Sequence, residues 1–331
     1  MAGLVLVTGG TGFVGAHIVG ALLARGEAVR CLVRPGRPGT TLAGLPVQLV
    51  AGDLTRPETL AAAVRGVRVL YHCAADYRLG AADPETLQRT NVAGTDALLR
   101  AAAEAGVQRV VYTSSVGALL GGRSPERPAD ESSVPEPKHL PGAYKRSKFE
   151  AERVAEAWQA RGLPVVIVSP TTPVGEGDAR PTPTGRIIVD FLNGRIPAYV
   201  AGGLNVVDVG DVATGHLLAE TRGEPGQRYI LGCRNLSFRD LFQLLARVSG
   251  RPAPRVRLPR WLPLAAAHVE VSLARRGRRE PRFTPEAVRL SALPMYFNAG
   301  RAVRELGLPQ SPVEDALRRA VVWYRARGYA P

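Results

Sequence analysis

The sequence predicts an α/β protein built on a doubly wound parallel sheet, and three observations predict it. Leu4-Val5-Leu6-Val7 runs into Thr8 without a polar residue, as a strand buried on both faces does. Glycines follow at once at 9, 10, 12 and 15, and an apolar stripe of Val14, Ile18 and Leu22 marks an amphipathic helix. Strand-like apolar runs then alternate with helical patterns until about residue 230, where that rhythm is lost. A glycine turn between a buried strand and a helix lets backbone approach a pyrophosphate, which rests on the helix N-terminus. Gly9, Thr11, Gly12, Phe13, Val14 and Gly15 are therefore expected to hold a dinucleotide.

The bulk composition fits that picture. With 331 residues, 45% of them hydrophobic, the chain can bury an ample core. No run approaches the roughly 18 apolar residues of a membrane span, and the first residues read as a strand rather than a signal peptide. Cys31, Cys73 and Cys233 are widely spaced and odd in number, as free thiols in a reducing cytoplasm are, so a cytoplasmic protein is expected. No Cys/His cluster has metal-ligand spacing, and no metal is expected. The net charge of +14 comes from 40 Arg against three Lys, scattered without a basic block. That is a compositional bias rather than a nucleic-acid footprint.

The elements follow in order. The first helix ends near Arg25-Gly26, with Gly26 as its cap. Val29 to Val33 is the second strand, and the residue after it decides the cofactor. An acidic side chain there holds ribose hydroxyls, whereas an Arg accommodates the extra phosphate of NADP. Arg34 stands in that place with Arg37 close behind, and Glu27 lies before the strand. NADP(H) is the expected cofactor, with NAD(H) the alternative. Val47 to Ala51 is the third strand. It is closed by Asp53-Leu54, where Asp53 accepts from an adenine amine or caps the helix starting at Pro57. Val67 to Ala75 is the fourth strand, its small Ala74 and Ala75 leaving room for a cofactor and His72 packed in the strand. The loop after it offers Asp76, Tyr77 and Arg78 to substrate.

A long helix is expected from Asp83-Pro84 to Gly106, with Asn91 on its inward face and therefore hydrogen-bonded. Arg109 to Thr113 is the fifth strand, running into Ser114-Ser115. A Pro-rich irregular segment (124–141) leads to a helix opening at Tyr144 and continuing through Trp158. Tyr144 and Lys148, four residues apart, point to one spot. A phenol with an ordinary pKa near 10 is a poor acid–base catalyst at neutral pH, and a neighbouring ammonium lowers it towards the working range. Val165 to Ser169 is the sixth strand, followed by Pro170 and Thr172. Thr184 and Arg186 precede an apolar helix, and 206–219 reads as a strand and helix returning to the sheet.

Helical patterns at 237–249, 261–276, 285–293 and 312–327 then make a smaller, mainly helical C-terminal lobe. The 261–276 segment is apolar with a basic tail (Arg275, Arg276, Arg278, Arg279), a pattern that also suits weak contact with a membrane surface, but a core helix is the preferred reading. The expected division is a dinucleotide-binding domain of Rossmann type at 1–175, rejoined by about 206–222, and a substrate lobe from 176–205 and 223–331.

Taken together, Gly9, Gly12, Gly15, Asp53, Asn91, Ser115, Tyr144 and Lys148 resemble, in this order, the extended short-chain dehydrogenase/reductase superfamily across nearly the whole chain. Within it, the stretches at 74–79, 144–148 and 181–192 resemble the hopanoid-associated sugar epimerase group, itself similar to dihydroflavonol reductases. The resemblance implies that Ser115 hydrogen-bonds the substrate oxygen and Tyr144 exchanges its proton. It also implies that Lys148 holds the nicotinamide ribose, that Pro170 to Thr172 flank the nicotinamide, and that the protein is a homodimer through the helices of Asn91 and Tyr144. Two residues depart from sugar-nucleotide epimerases: Leu204, where an Arg clamps a pyrophosphate, and Ser169, where Asn is usual. The expected activity is therefore NADP(H)-dependent interconversion of a carbonyl and an alcohol on a small molecule. A sugar epimerase is the alternative and a non-catalytic cofactor-sensing protein the third.

Overall fold

The computed structural model describes residues 3–36, 40–77, 83–140, 142–259, 261–277, 288 and 294–331. Seven parallel strands form the central sheet: β1 (Leu4–Thr8), β2 (Val29–Val33), β3 (Val47–Ala51), β4 (Val67–His72), β5 (Arg109–Thr113), β6 (Val165–Pro170) and β10 (Arg228–Leu231). Their order is β3-β2-β1-β4-β5-β6-β10, so the winding reverses between β1 and β4. That switch point opens a crevice beyond the strand ends, where ligands of such sheets bind. The register sets Thr8 beside His72 and His72 beside Tyr112, which levels the three central strands at that edge.

Alternation along the strands builds a core on each face. Val5, Val7, Val69, Val111 and Val168 pack against α1 (Phe13–Ala24) and α7 (Val209–Arg222). Leu6, Leu70, Val110 and Ile167 face the other way, against α2 (Leu60–Val64), α4 (Gly94–Glu104) and α5 (Ala143–Ala160). A fully buried Leu or Val contributes about 1.5–3 kcal/mol, so these two layers hold the sheet. A third core joins β7 (Thr172–Val174), α6 (Pro183–Leu192), β9 (Gly203–Asp208), β11 (Arg234–Ser237), α8 (Phe238–Ser249) and α10 (Val313–Ala326) into the substrate-side lobe. There β9 runs parallel to β7 and antiparallel to β11, and β8 (Ala198–Val200) pairs with β12 (Val256–Leu258). α9 (Trp261–Arg276) lies beyond β12.

Four expectations are corrected. The fourth strand stops at His72, because Ala74 N–H turns to the Thr8 hydroxyl (3.2 Å) instead of continuing a ladder. The long helix from residue 84 is interrupted: between α3 (Pro84–Leu87) and α4, residues Gln88–Ala93 form a π-helical turn. The strand expected to return to the sheet near 206 pairs with β7 instead, and β10, which the pattern did not suggest, closes the sheet. Finally, among the described side chains of α9 only Ala267 and Ala274 are fully buried, while Trp261, Leu262, Val269 and Leu273 face solvent. The helical pattern at 285–293, together with Arg37, Arg78, Arg278 and Arg279, lies outside the described residues, as do the side chains of Arg275 and Arg276.

Candidate active site

The site begins with missing side chains. Gly9 has φ +73°, and a Cβ there would stand 2.7 Å from Ala74 N. A Cβ on Gly15 would stand 2.1 Å from Gly9 O. Only glycine lets β1, the loop after β4 and the first turn of α1 close together like this. Gly12 stands at the N-cap of α1 and brings no side-chain cap, so the first N–H groups of the helix face the crevice. A dinucleotide pyrophosphate fits that cradle. Thr11, Phe13 and Val14 belong to the same turn. Arg34 follows β2 directly and is exposed, while Glu27 is held at the opposite end of the sheet by Arg25 (3.0 Å) and Arg68 (3.5 Å).

Asp53 follows β3 at the same edge as the turn. Its Oδ1 accepts from the Thr55 N–H and hydroxyl, both at 2.8 Å, and Arg56 occupies the N-cap before Pro57. The N-cap reading of Asp53 is thus corrected, since its carboxylate closes a turn of its own. Leu54 beside it is buried against Gly94, where a Cβ would stand 2.7 Å from Leu54 Cβ.

Asn91 sits in the π-turn, where such distortions re-aim a side chain. Its Oδ1 accepts Asp76 N–H (2.7 Å), and its Nδ2 donates to Asp76 O (2.9 Å) and Ser147 Oγ (3.0 Å). The inward, hydrogen-bonded Asn expected from the sequence is found, and it pins the loop of Ala74, Ala75 and Asp76 to α5. Behind it runs a buried polar chain. Thr95 Oγ1 donates to Asn91 O (2.6 Å), so it accepts from His72 Nε2 (3.0 Å). The neutral ring then accepts at Nδ1 from the Thr8 hydroxyl (2.8 Å). Burial pushes His72 down to about 3, with the Lys148 ammonium acting in the same direction, which keeps the ring neutral.

Ser115 ends the run from β5. Its Oγ accepts Gly117 N–H (3.0 Å), and its hydroxyl lies close enough to the Tyr144 phenol to act on it. Tyr144 opens α5 after Gly142, whose φ of +82° makes the entry turn. One turn on, Lys148 is buried and donates to Thr113 O at 2.9 Å. Burial pushes Lys148 down to about 8, against the nearby Glu152 carboxylate. Glu152 lies one further turn along, accepting from Ser114 Oγ and from buried Arg228. Arg228 also reaches Glu131 O (2.9 Å) and Glu156 (3.2 Å).

The expected effect of Lys148 on Tyr144 is not met. Burial raises the Tyr144 phenol above its ordinary value, Asp76 and Tyr77 push the same way, and only the Ser115 hydroxyl opposes them. Desolvation outweighs the ammonium because Lys148 directs its charge to Thr113 and Glu152.

Pro170 and Thr172 follow at the end of β6 and the start of β7. The next loop carries a residue that sequence reasoning missed, the buried Asp178. It accepts from Thr182 N–H (2.9 Å), the Thr182 hydroxyl (2.8 Å) and Tyr324 Oη (2.8 Å). Gly185 leaves room for this, since a Cβ there would stand 2.1 Å from Tyr324 Oη. Half-exposed Tyr77 lies within electrostatic reach of Asp178, Arg180 and Arg186, so the loop after β4 and the first turn of α6, which also carries Thr184, meet at the mouth of the crevice. Asp178, Glu152 and Arg228 carry no local motif that would have marked them. Among the described residues, no group of three or more His, Cys, Asp or Glu is placed to hold a metal ion, and no helix is long and apolar enough to cross a membrane.

Residues 5–232 match the model of the NAD dependent epimerase/dehydratase family. A protein of Synechocystis sp. named "Putative dihydroflavonol 4-reductase" is 46% identical over 99% of this chain and 96% of its own length. "Sterol demethylase protein B" of Methylococcus capsulatus is 38% identical over 98% of each chain. Among solved structures, the dTDP-glucose 4,6-dehydratase of Streptomyces venezuelae with NAD bound superposes with a TM-score of 0.76, at 27% identity over 99% of this chain and 98% of that one.

Proposed function

The chain belongs to the NAD-dependent epimerase/dehydratase family, whose members are nicotinamide-dependent reductases, dehydrogenases and epimerases, and we propose that it interconverts a carbonyl and an alcohol on a small molecule using NADP(H). One observation carries the reading: the Ser115 hydroxyl and the Tyr144 phenol lie together at the open end of β5, close enough for the hydroxyl to act on the phenol, with Lys148 one turn away on α5. A phenol that burial keeps protonated is the form a general acid needs when a carbonyl is reduced. Ser115 holds the carbonyl oxygen against Tyr144, and Tyr144 Oη gives its proton as the oxygen becomes an alkoxide. Lys148 is fixed by Thr113 O, and from there it orients the cofactor ribose. Gly9, Gly12 and Gly15 seat the pyrophosphate, Asp53 and Leu54 flank the adenine, and Ala74, Ala75, Pro170 and Thr172 line the path to the nicotinamide. The bound nicotinamide supplies or accepts the hydride. Arg34 at the end of β2, with no acidic residue in its place, supports NADP(H) over NAD(H). Asp76, Tyr77, Thr184 and Arg186 face the substrate.

Leu204 supports net redox chemistry over sugar-nucleotide epimerisation. It is partly buried on β9, bridging Met295, where it offers a diphosphate no charge. The epimerase reading keeps one observation in its favour: Arg180 and Arg186 converge on Tyr77 at the mouth, where two guanidinium groups suit an anionic substrate.

The test is cofactor turnover with a panel of carbonyl compounds and nucleotide sugars. Stoichiometric NADPH consumption, reduced about 10²–10⁴-fold by Tyr144→Phe, is expected. Isomerisation without net cofactor turnover overturns the reductase reading in favour of the epimerase. Arg34→Ala weakens NADP(H) selectively, and an equal loss for NAD(H) removes the phosphate role.

A further inference from the structure

α9 presents its side chains the wrong way round for a helix in water. Around its axis, the described side chains facing solvent are Trp261, Leu262, Ala265, Ala266, Val269, Ser272 and Leu273, which fall on one arc. Trp261 is 66% exposed, Val269 58% and Leu273 51%. Among the described side chains, Ala267 and Ala274 are the fully buried ones, with Leu264 and Val271 half-buried beside them, so Trp261, Val269 and Leu273 are left outside. α8, in the same lobe, does the opposite: Phe238, Leu241, Phe242 and Leu245 are buried, while Arg239, Asp240, Gln243 and Arg247 face water. Single exposed apolar residues are ordinary, but a run of them along one arc of a helix is not.

The charge of the flanking sequence and of the exposed arginines before α9 points to its partner. Residues 251–280 carry eight arginines and two glutamates. Arg255, just before β12, and Arg257, on it, precede α9 and are both exposed, and Val256 between them is 56% exposed. A second protein surface would meet such an arc with its own apolar side chains and needs no neighbouring arginines. An anionic lipid surface is met by both parts together, the apolar arc entering the acyl boundary and the guanidinium groups pairing with phosphate headgroups. Trp261 at the head of the helix has the apolar body and polar N–H that suit the boundary between them.

We propose that α9 docks the protein on an anionic bilayer surface, with Trp261, Leu262, Val269 and Leu273 inserted and Arg255 and Arg257 on the headgroups. The placement is peripheral, and it stands whether the site reduces or epimerises. The test is co-sedimentation with extruded vesicles of phosphatidylcholine, with and without phosphatidylglycerol. The wild-type protein should bind the phosphatidylglycerol vesicles, less so as salt is raised, with a blue shift of Trp fluorescence that Trp261→Phe removes. Trp261→Ser/Val269→Ser/Leu273→Ser should lower partitioning at least tenfold with unchanged circular dichroism and cofactor binding. Arg255→Ala/Arg257→Ala should lower it only for anionic vesicles. Val322→Ser, at an exposed valine on α10, should leave it unchanged. Absence of binding to phosphatidylglycerol vesicles, or equal binding by the triple variant, overturns the proposal. So does a triple variant whose only change is a smaller mass by light scattering, which would give the face to a second copy of the chain.

Discussion

Two strand ends meet at this site, and they are built by opposite means. At the end of β1, approach is achieved by leaving atoms out: Gly9, Gly12 and Gly15 bring three backbone segments within contact of one another. At the end of β5, approach is achieved by putting polar atoms in. Beside Ser115 and Tyr144, Lys148 is held by Thr113 O, and Glu152 one turn on by Ser114 and Arg228, most of them buried. The glycine edge is specified by short-range backbone geometry, and one added methyl breaks it. The tyrosine edge is specified by side chains distant in sequence, whose removal leaves the backbone path intact. The first should fail in all-or-none fashion and the second by degrees.

The largest effect is expected at the glycine edge. Gly15→Ala places a Cβ against Gly9 O, a backbone atom that cannot swing away. The expected loss is about 3 kcal/mol or more of stability, together with cofactor binding. Gly20→Ala on the same helix is the control, because nothing lies within 4 Å of a Cβ there. It should stabilise by about 0.5–1 kcal/mol, the ordinary helix-interior gain of Ala over Gly. Chemical denaturation and cofactor titration of both variants measure the contrast. Equal behaviour of the two would mean that the turn is not the tight junction described.

The same contrast explains what could be read beforehand. The glycine turn was legible because it signals through neighbours within one strand end, and Arg34 and the Tyr144–Lys148 pair could be singled out as candidates on the same local grounds. The inward side of Asn91 was legible from period alone, but not the π-turn that aims it. Glu152 and Arg228 are 76 residues apart, and each by itself reads as a surface charge on a helix or a strand. Asp178 acquires its partner Tyr324 only when α10 folds back over α6, and Gly185, which permits the contact, looks like an ordinary loop glycine. α9 misled for a different reason. Its apolar content implied a core position, but composition does not say which way a helix turns its large side chains.

At the tyrosine edge, Glu152→Gln should give a graded loss. It keeps the shape and the Ser114 contact but leaves Arg228 with only Glu156 as an acidic partner, as in the breaking of a buried ion pair. Roughly 3 kcal/mol of stability should go. The informative readout is the alkaline limb of the activity profile. Lys148 is lowered to about 8 by burial while Glu152 works against that shift, so removing the carboxylate moves the loss of the ammonium to lower pH. If kcat falls with pH at the same place in both proteins, Lys148 does not feel Glu152 and the positioning role is lost.

The smallest of the three effects concerns the chain that ties the two edges together. His72 joins Thr8, at the glycine edge, to Thr95 and Asn91, and burial holds it near 3 against an ordinary 6.5. His216, bonded to Val212 O (2.7 Å) and the Thr113 hydroxyl (2.9 Å) behind the tyrosine edge, is held near 4 by the same cause. Both rings are neutral when folded and take up a proton when unfolded below pH 6.5. The unfolded state therefore binds more protons as pH falls from 6.5, and stability, complete above that value, declines towards pH 4 and below. Each ring should withdraw about 2 kcal/mol between pH 7 and pH 5. Urea midpoints at the two pH values measure the decline, and His72→Gln, which retains a donor for Thr95, should remove about half of it. Should the decline persist undiminished in that variant, the proton is being taken up elsewhere and His72 is not the neutral link between the two edges.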